Sequence, residues 1–244
     1  MPPIALITGS ARRVGAVILQ QFHAAGYRVI LHYRQSKAAA MALVDACNAA
    51  RPDSALAWQY DLSDTEGFPS SLQSLLADWG GLDVLVNNAA VYLSTPVLET
   101  TETEWQMLFD RNVKAPYFLT QACASYLEKN NGCVINIIDI QSQRAIKNYG
   151  VYAQTKAAFA MQTKSLAREL APSIRVNGIS PGPTLWPEGE NDLTKVQQEK
   201  VLEKSALHCL ADPEDIGNAA LYFAQAKTVT GQILAVDAGR SIKT

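Results

Sequence analysis

The stretch IALITGSARRVG, residues 4–15, decides the fold. Four apolar residues, Ile4-Ala5-Leu6-Ile7, run into Thr8-Gly9-Ser10, and Val14 and Gly15 then open an amphipathic segment. A short, uninterrupted apolar run reads as a strand covered on both faces. Glycine permits a tight turn and close approach of a ligand to the backbone. The helix that follows offers free N–H groups and the positive end of its dipole, a seat for phosphate. Strand, glycine-bearing turn and helix in this order form a dinucleotide site, with Gly9, Arg13 and Val14 as candidate contacts. Two features depart from the three-glycine fingerprint: the spacing is wider, and Arg13 takes the place of the middle glycine.

The rest of the chain repeats this alternation. Strand-like runs fall at 4–8, 28–33, 56–60, 84–87, 134–138, 175–179 and 233–236, with helix-like segments at about 14–25, 36–50, 65–79, 103–128, 151–170 and 213–225. Several strands are apolar throughout, as in a parallel sheet with both faces covered. Strands alternating with helices imply an α/β, doubly wound fold with right-handed crossovers. The 244 residues suit one domain spanning 1–244. Residues 181–194, PGPTLWPEGENDLT, follow a strand and read as a loop. Such a loop at the carboxyl end of a strand borders the ligand, so a lid over about 183–205 is expected.

Composition excludes several classes. A net charge of −2 gives no footing for nucleic acid or an anionic membrane. Cys47, Cys123, Cys133 and Cys209 show no C-x-x-C spacing, and His23, His32 and His208 are scattered, so reduced thiols and no metal site are expected. A strand pattern from Ile4 leaves no room for a signal peptide, and no apolar run reaches the roughly 20 residues of a membrane span. A cytoplasmic location is the expectation.

The end of the second strand selects the cofactor. An NAD site places an acidic residue there for the ribose hydroxyls. This chain reads His32-Tyr33-Arg34-Gln35-Ser36-Lys37, with no acid before Asp45. Arg34, Lys37 and the Ser36 hydroxyl suit a 2′-phosphate, which predicts NADP(H). His32 and Tyr33 belong to the same candidate set.

Further on, the run ending in Ile137-Ile138 meets a carboxylate, Asp139. Tyr152 follows, and Lys156 lies four residues beyond it, on the same helix face.

Together these motifs resemble the short-chain dehydrogenase/reductase family over essentially the whole chain: T-G-x-x-x-x-x-G after the first strand, Asp61-Leu62, Asn87-Asn88-Ala89-Ala90, Asn112, Tyr152-x-x-x-Lys156 and Pro181-Gly182. The resemblance implies a single-domain Rossmann fold with a seven-stranded parallel sheet, commonly a tetramer. It implies that Asp61 and Leu62 lie beside the adenine, that Asn88 and Ala89 line the cofactor cleft, and that Pro181-Gly182 pass the nicotinamide. It implies Tyr152 as proton donor, Lys156 holding the nicotinamide ribose and lowering the Tyr pKa, and Asn112 holding a relay water.

Asp139 stands where the family usually has Ser. A hydroxyl can donate to a ketone oxygen, whereas an ionised carboxylate only accepts. Asp139 therefore favours a substrate offering N–H groups or a C=N bond, and would hold the Tyr152 proton in place. Desolvation would let it deliver a proton itself. This substitution, Arg13 in the turn, the Leu31-His32-Tyr33 segment with Ser36, and Tyr92 four residues past Asn88 resemble the pteridine reductase branch, which includes dihydromonapterin reductases. The branch implies a dihydropterin stacked on Tyr92, with Arg13 reaching the pterin or a cofactor phosphate. Trp186 is a candidate substrate contact from the lid. Arg240 is a candidate for lending its side chain to a neighbouring subunit's site. The alternatives are a general carbonyl or 3-oxoacyl reductase, and a non-catalytic NADP(H) sensor.

Overall fold

The computed structural model describes residues 2–186 and 193–243. Seven parallel strands form one sheet: β1 (Ile4–Ile7), β2 (Arg28–Tyr33), β3 (Ala55–Gln59), β4 (Val84–Asn87), β5 (Cys133–Ile137), β6 (Arg175–Pro181) and β7 (Ile233–Val236). Their order is β3-β2-β1-β4-β5-β6-β7. The order reverses between β1 and β4, and the crevice there is where an open α/β sheet binds ligand.

Alternation along β1 explains the unbroken apolar run. Ala5 and Ile7 face a core made with α1 (Arg13–Ala24), α2 (Lys37–Ala50) and α8 (Pro213–Gln225), through Ile18, Phe22, Val44, Ile216 and Phe223. Ile4 and Leu6 face a second core made with α3 (Phe68–Leu75), α5 (Ala115–Lys129) and α6 (Gly150–Glu169), through Phe68, Leu72, Leu119, Leu127 and Leu166. Along β1 each residue is buried whichever way it points, so the centre of the sheet tolerates few polar positions.

Three features depart from the sequence reading. The expected helix at 65–79 is confined to α3. The expected single helix over 103–128 is α4 (Glu102–Phe109), a π-helical turn (Asp110–Lys114) and α5. Ala115 donates to the Asp110 carbonyl, five residues back, and Pro116 has no N–H to give to Asn112. A proline inside the pattern thus accounts for the break.

The third departure is α7 (Lys195–Glu203), inside the expected lid. It buries none of its own residues, so its ends hold it. Thr194 and Gln197 form a capping box at its start. At its end the Arg240 guanidinium donates to the Val201 carbonyl at 2.9 Å, and the Lys243 ammonium donates to the carbonyls of Glu203 and Ser205. Arg240 thus spends a donor within its own chain, on the lid helix. Residues 187–192 of the expected lid lie outside the described residues.

Candidate active site

The nucleotide end is built from the turn after β1. Gly9 adopts φ +62°. A side chain on Gly15 would bring its Cβ within 2.5 Å of the Gly9 carbonyl and 2.6 Å of Asn88 Nδ2, so helix and turn require glycine there. Arg13 keeps φ +54°, a glycine-like conformation carried by an arginine. Such a conformation costs on the order of 1 kcal/mol or more and persists because the surrounding turn holds it. The first turn of α1 has no side-chain cap, which leaves its N–H groups to a ligand.

A cavity of about 500 Å³ opens over this turn, lined by Gly9, Arg12, Arg13, Val14, Gly15, Tyr33, Arg34, Ser36, Asn88 and Ala89 among others. Its lining holds three arginines and no carboxylate. Ser36 caps α2 without spending its hydroxyl. Lys37, expected beside them, is not among the lining residues, whereas Arg34 and Ser36 are. A second compartment of about 190 Å³ shares Gly9, His32, Arg34 and Ala89 and adds Asp61, Leu62, Val91 and Arg111.

His32 is buried between these parts. Its Nδ1 accepts from the Gly9 N–H at 3.0 Å, and its Nε2 meets the Tyr60 carbonyl at 3.1 Å. Burial pushes the imidazole down to about 4, so His32 is a neutral brace for the turn and not a cation for phosphate. Asn88 is a second brace. Its Nδ2 donates to the carbonyls of Thr8 and Gly9, while the Asn88 and Ala89 N–H groups donate to Thr8 Oγ1.

The catalytic candidates meet beyond β5. Tyr152 donates its hydroxyl proton to Asp139 Oδ2 at 2.7 Å. Asp139 Oδ1 accepts from the Gln141 N–H at 2.8 Å. Lys156, buried, donates to the Ile137 carbonyl at 3.1 Å. Burial raises the Asp139 carboxyl, against the Gln141 N–H, the Tyr152 hydroxyl and the Lys156 charge. Burial first, then Asp139, lifts Tyr152 well above an ordinary phenol. This corrects the expectation that Lys156 lowers Tyr152: its own ammonium is pushed down by burial to about 8, and the carboxylate is the nearer charge on the phenol.

Asn112 sits on the π turn. Its Oδ1 accepts from the Val91 N–H at 2.8 Å, and its Nδ2 donates to the Val91 carbonyl at 2.9 Å and to Thr155 Oγ1 at 3.1 Å. The side chain is consumed in fixing the Val91 segment to α6. Tyr92 is half exposed, stacked on Tyr149 with centroids 4.4 Å apart and edge-on to Tyr152 at 4.7 Å. Gly182, at the end of β6, lies against Asp237, 2.8 Å from its would-be Cβ. Trp186 contributes a carbonyl: Arg13 donates to it at 3.3 Å and to that of Leu185 at 3.4 Å. Arg13 thereby joins the nucleotide turn to the start of the lid.

A family model described as Enoyl-(Acyl carrier protein) reductase matches residues 9–241. The chain belongs to the short-chain dehydrogenase/reductase family. Within this family it is 34% identical to pteridine reductase 1 of Leishmania tarentolae, over 98% of this chain and 96% of that protein. It is 32% identical to a 3-oxoacyl-(acyl-carrier-protein) reductase of Staphylococcus aureus, over 98% of each. Its fold is similar to a blue fluorescent protein from a metagenomic library in complex with NADPH, with a TM-score of 0.89, 30% identity, and coverage of 98% of this chain and 97% of that one.

Short-chain family motifs led to most of this site but not to Tyr149, Arg12 or Arg111. Tyr149 pairs through a backbone bridge with Thr95, a contact no periodicity signals. Arg12 and Arg111 each stand beside a singled-out residue, and adjacency is the only signal the sequence carries.

Proposed function

We propose that this short-chain reductase is an NADPH-dependent pteridine reductase, acting on a C=N bond of a dihydropterin. The nucleotide cleft fits such a cofactor by its donor set: arginines and an uncommitted Ser36 hydroxyl, an uncapped helix start and no carboxylate in the larger cavity. Arg34 and Ser36 would hold the 2′-phosphate, Gly9, Arg13 and Val14 the diphosphate, Asp61 and Leu62 the adenine end, and Lys156, Asn88, Ala89, Pro181 and Gly182 the nicotinamide end. The chemistry the cofactor supplies when bound is hydride donation to the C=N carbon.

The observation that carries the reading is the Tyr152–Asp139 hydrogen bond of 2.7 Å. Ionised, Asp139 repels a ketone oxygen and accepts from substrate N–H groups; protonated, it donates to the substrate nitrogen. The substrate nitrogen takes its proton from the Tyr152–Asp139 pair, both of whose members burial keeps protonated to higher pH than usual. Tyr92 presents its exposed ring to the flat heteroaromatic substrate, with Trp186 at the lid. The Asn112 carbonyl, which Pro116 denies an α-helical donor, is the acceptor for a relay water. A homotetramer and a cytoplasmic location complete the reading, on family membership.

The test is NADPH oxidation with a dihydropterin, a 3-oxoacyl ester and a simple ketone, each repeated with NADH. Turnover of the dihydropterin with NADPH supports the proposal. Turnover of the oxo substrates alone supports a 3-oxoacyl or general carbonyl reductase, the second reading that the Staphylococcus aureus relative favours. No turnover with any of them supports an NADP(H) sensor.

A further inference from the structure

Three segments meet at the end of the site away from the nucleotide turn: the loop from Asp139 to Tyr149, the lid helix α7 and the C-terminal turn that starts at Asp237. Two arginines tie them together. Arg144, exposed in the loop, donates to the Arg240 carbonyl at 2.5 Å. Arg240, half-buried in the turn, donates to the Val201 carbonyl of α7 at 2.9 Å. The turn rests on the end of β6, where Asp237 lies against Gly182. The pair therefore stands where the catalytic loop, the lid and the end of β6 converge.

The charge around the pair is out of balance. Asp139 is the carboxylate of the loop and Asp237 that of the turn, and both are committed. Asp237 accepts from the Gly239 N–H at 2.9 Å and the Ser241 N–H at 2.6 Å. Asp139 accepts from Gln141 and Tyr152. Among the described residues neither arginine forms an ion pair. Burial, then the Arg144 charge, pulls the Arg240 guanidinium below its ordinary range, and Asp237 works against them. A guanidinium presents several donors in a planar fork, and most of those on this pair are unspent. Like charges held together with donors to spare are suited to an anion, and the fork matches a carboxylate or a phosphate.

We propose that Arg144 and Arg240 form an anion subsite at the mouth of the substrate cleft, which takes a carboxylate or phosphate carried on the side chain of the dihydropterin. The inference rests on the pteridine reductase reading and narrows its substrate class. The ring is held at Tyr92 and the Tyr152–Asp139 pair, and its side chain leaves past Arg144 toward the lid.

Steady-state kinetics with NADPH on three dihydropterins test it: a neutral hydroxymethyl dihydropterin, its diphosphate ester, and dihydrofolate, whose tail ends in carboxylates. The wild type is expected to show a lower KM for the anionic substrates, and added salt should raise that KM and not the neutral one. Arg144→Gln changes an exposed side chain and keeps a donor for the Arg240 carbonyl. It should raise KM for the anionic substrates roughly tenfold relative to the neutral one, with kcat little changed. A loss on the ester alone supports a phosphate subsite, a loss on dihydrofolate alone a carboxylate subsite, and a loss on both a subsite for either anion. A wild type with no preference for the anionic substrates overturns the inference and leaves the pteridine reductase reading standing. So does a KM ratio unchanged in Arg144→Gln, or a fall in kcat alike on all three substrates, which makes Arg144 a support for the loop. A wild type that reduces none of the dihydropterins overturns that reading, and the inference with it.

Discussion

Tyr152 donates a hydrogen bond from its hydroxyl to Asp139 at 2.7 Å, while Lys156, one helical turn on, donates one to the Ile137 carbonyl. The phenol is therefore tied to an anion rather than freed by a cation. Burial raises both acids of the pair, and the carboxylate raises the phenol further. Tyr152 stays protonated across the neutral range, and Asp139 is the member whose charge changes with pH.

That arrangement sets the pH dependence. Asp139 carries its proton below its raised pKa and loses it as pH climbs through that value. The kcat/KM for a dihydropterin falls along the same limb. Asp139→Asn has no such group and loses the limb. A pH–rate profile of both proteins checks this; an unchanged limb in Asp139→Asn contradicts it.

Lys156 carries a stability signature of its own. Its folded pKa, about 8, lies below the ordinary 10.5. A depressed pKa contributes stability that is present above the unfolded value and lost as pH falls through the folded one. The wild-type protein should gain on the order of 3 kcal/mol from this group between about pH 8 and pH 10.5. Lys156→Met lacks the gain. Denaturant melts of both proteins at pH 7.5 and pH 10 should show their stability difference shifting toward the wild type at the higher pH; a constant difference refutes the assignment.

Cofactor preference should reside in Arg34 and Ser36. Charge-assisted contacts to a phosphate contribute about 1.5–3 kcal/mol. Arg34→Ala should raise the KM for NADPH by roughly ten- to a hundredfold while leaving that for NADH nearly unchanged, and Ser36→Ala should act in the same direction more weakly. Steady-state kinetics with both cofactors decide this; equal losses would place Arg34 elsewhere on the dinucleotide.

Gly15 is where the turn and α1 touch. A methyl there would lie 2.5 Å from the Gly9 carbonyl and 2.9 Å from Ser10 Cα. Both are backbone atoms, so the turn itself must move. Gly15→Ala should cost about 1–3 kcal/mol and abolish tight NADPH binding. A folded variant with native affinity in a fluorescence titration contradicts this packing.

Much of this architecture is legible in the chain itself. The seven strands lie within a residue or two of the apolar runs, because burial of the central strands on both faces leaves one signal and no alternation to confuse it. Gly9, Ser36 and Asp139 are legible as a glycine between strand and helix, a hydroxyl in an acid-free basic segment and a carboxylate after an apolar run, and Arg13 as the residue that replaces a fingerprint glycine. The π turn at Asp110–Lys114 was hidden because α4 and α5 continue one helical pattern on either side of it. Pro116 was its trace. Helix α7 was hidden because it buries nothing, although Thr194 and Gln197 spell its capping box. The direction of the Tyr152 shift depends first on burial and then on which charge is nearer, and spacing along a helix gives neither.

The most direct test of the central claim compares the wild type with Asp139→Ser on two substrates, a dihydropterin and a 3-oxoacyl ester, with NADPH. The wild type is expected to turn over the dihydropterin. The serine variant should lose that activity by about a hundredfold or more and gain on the oxo substrate, because a hydroxyl now faces the carbonyl oxygen. Wild-type turnover of the oxo substrate alone, or a serine variant that reduces the dihydropterin as well as the wild type, would contradict it.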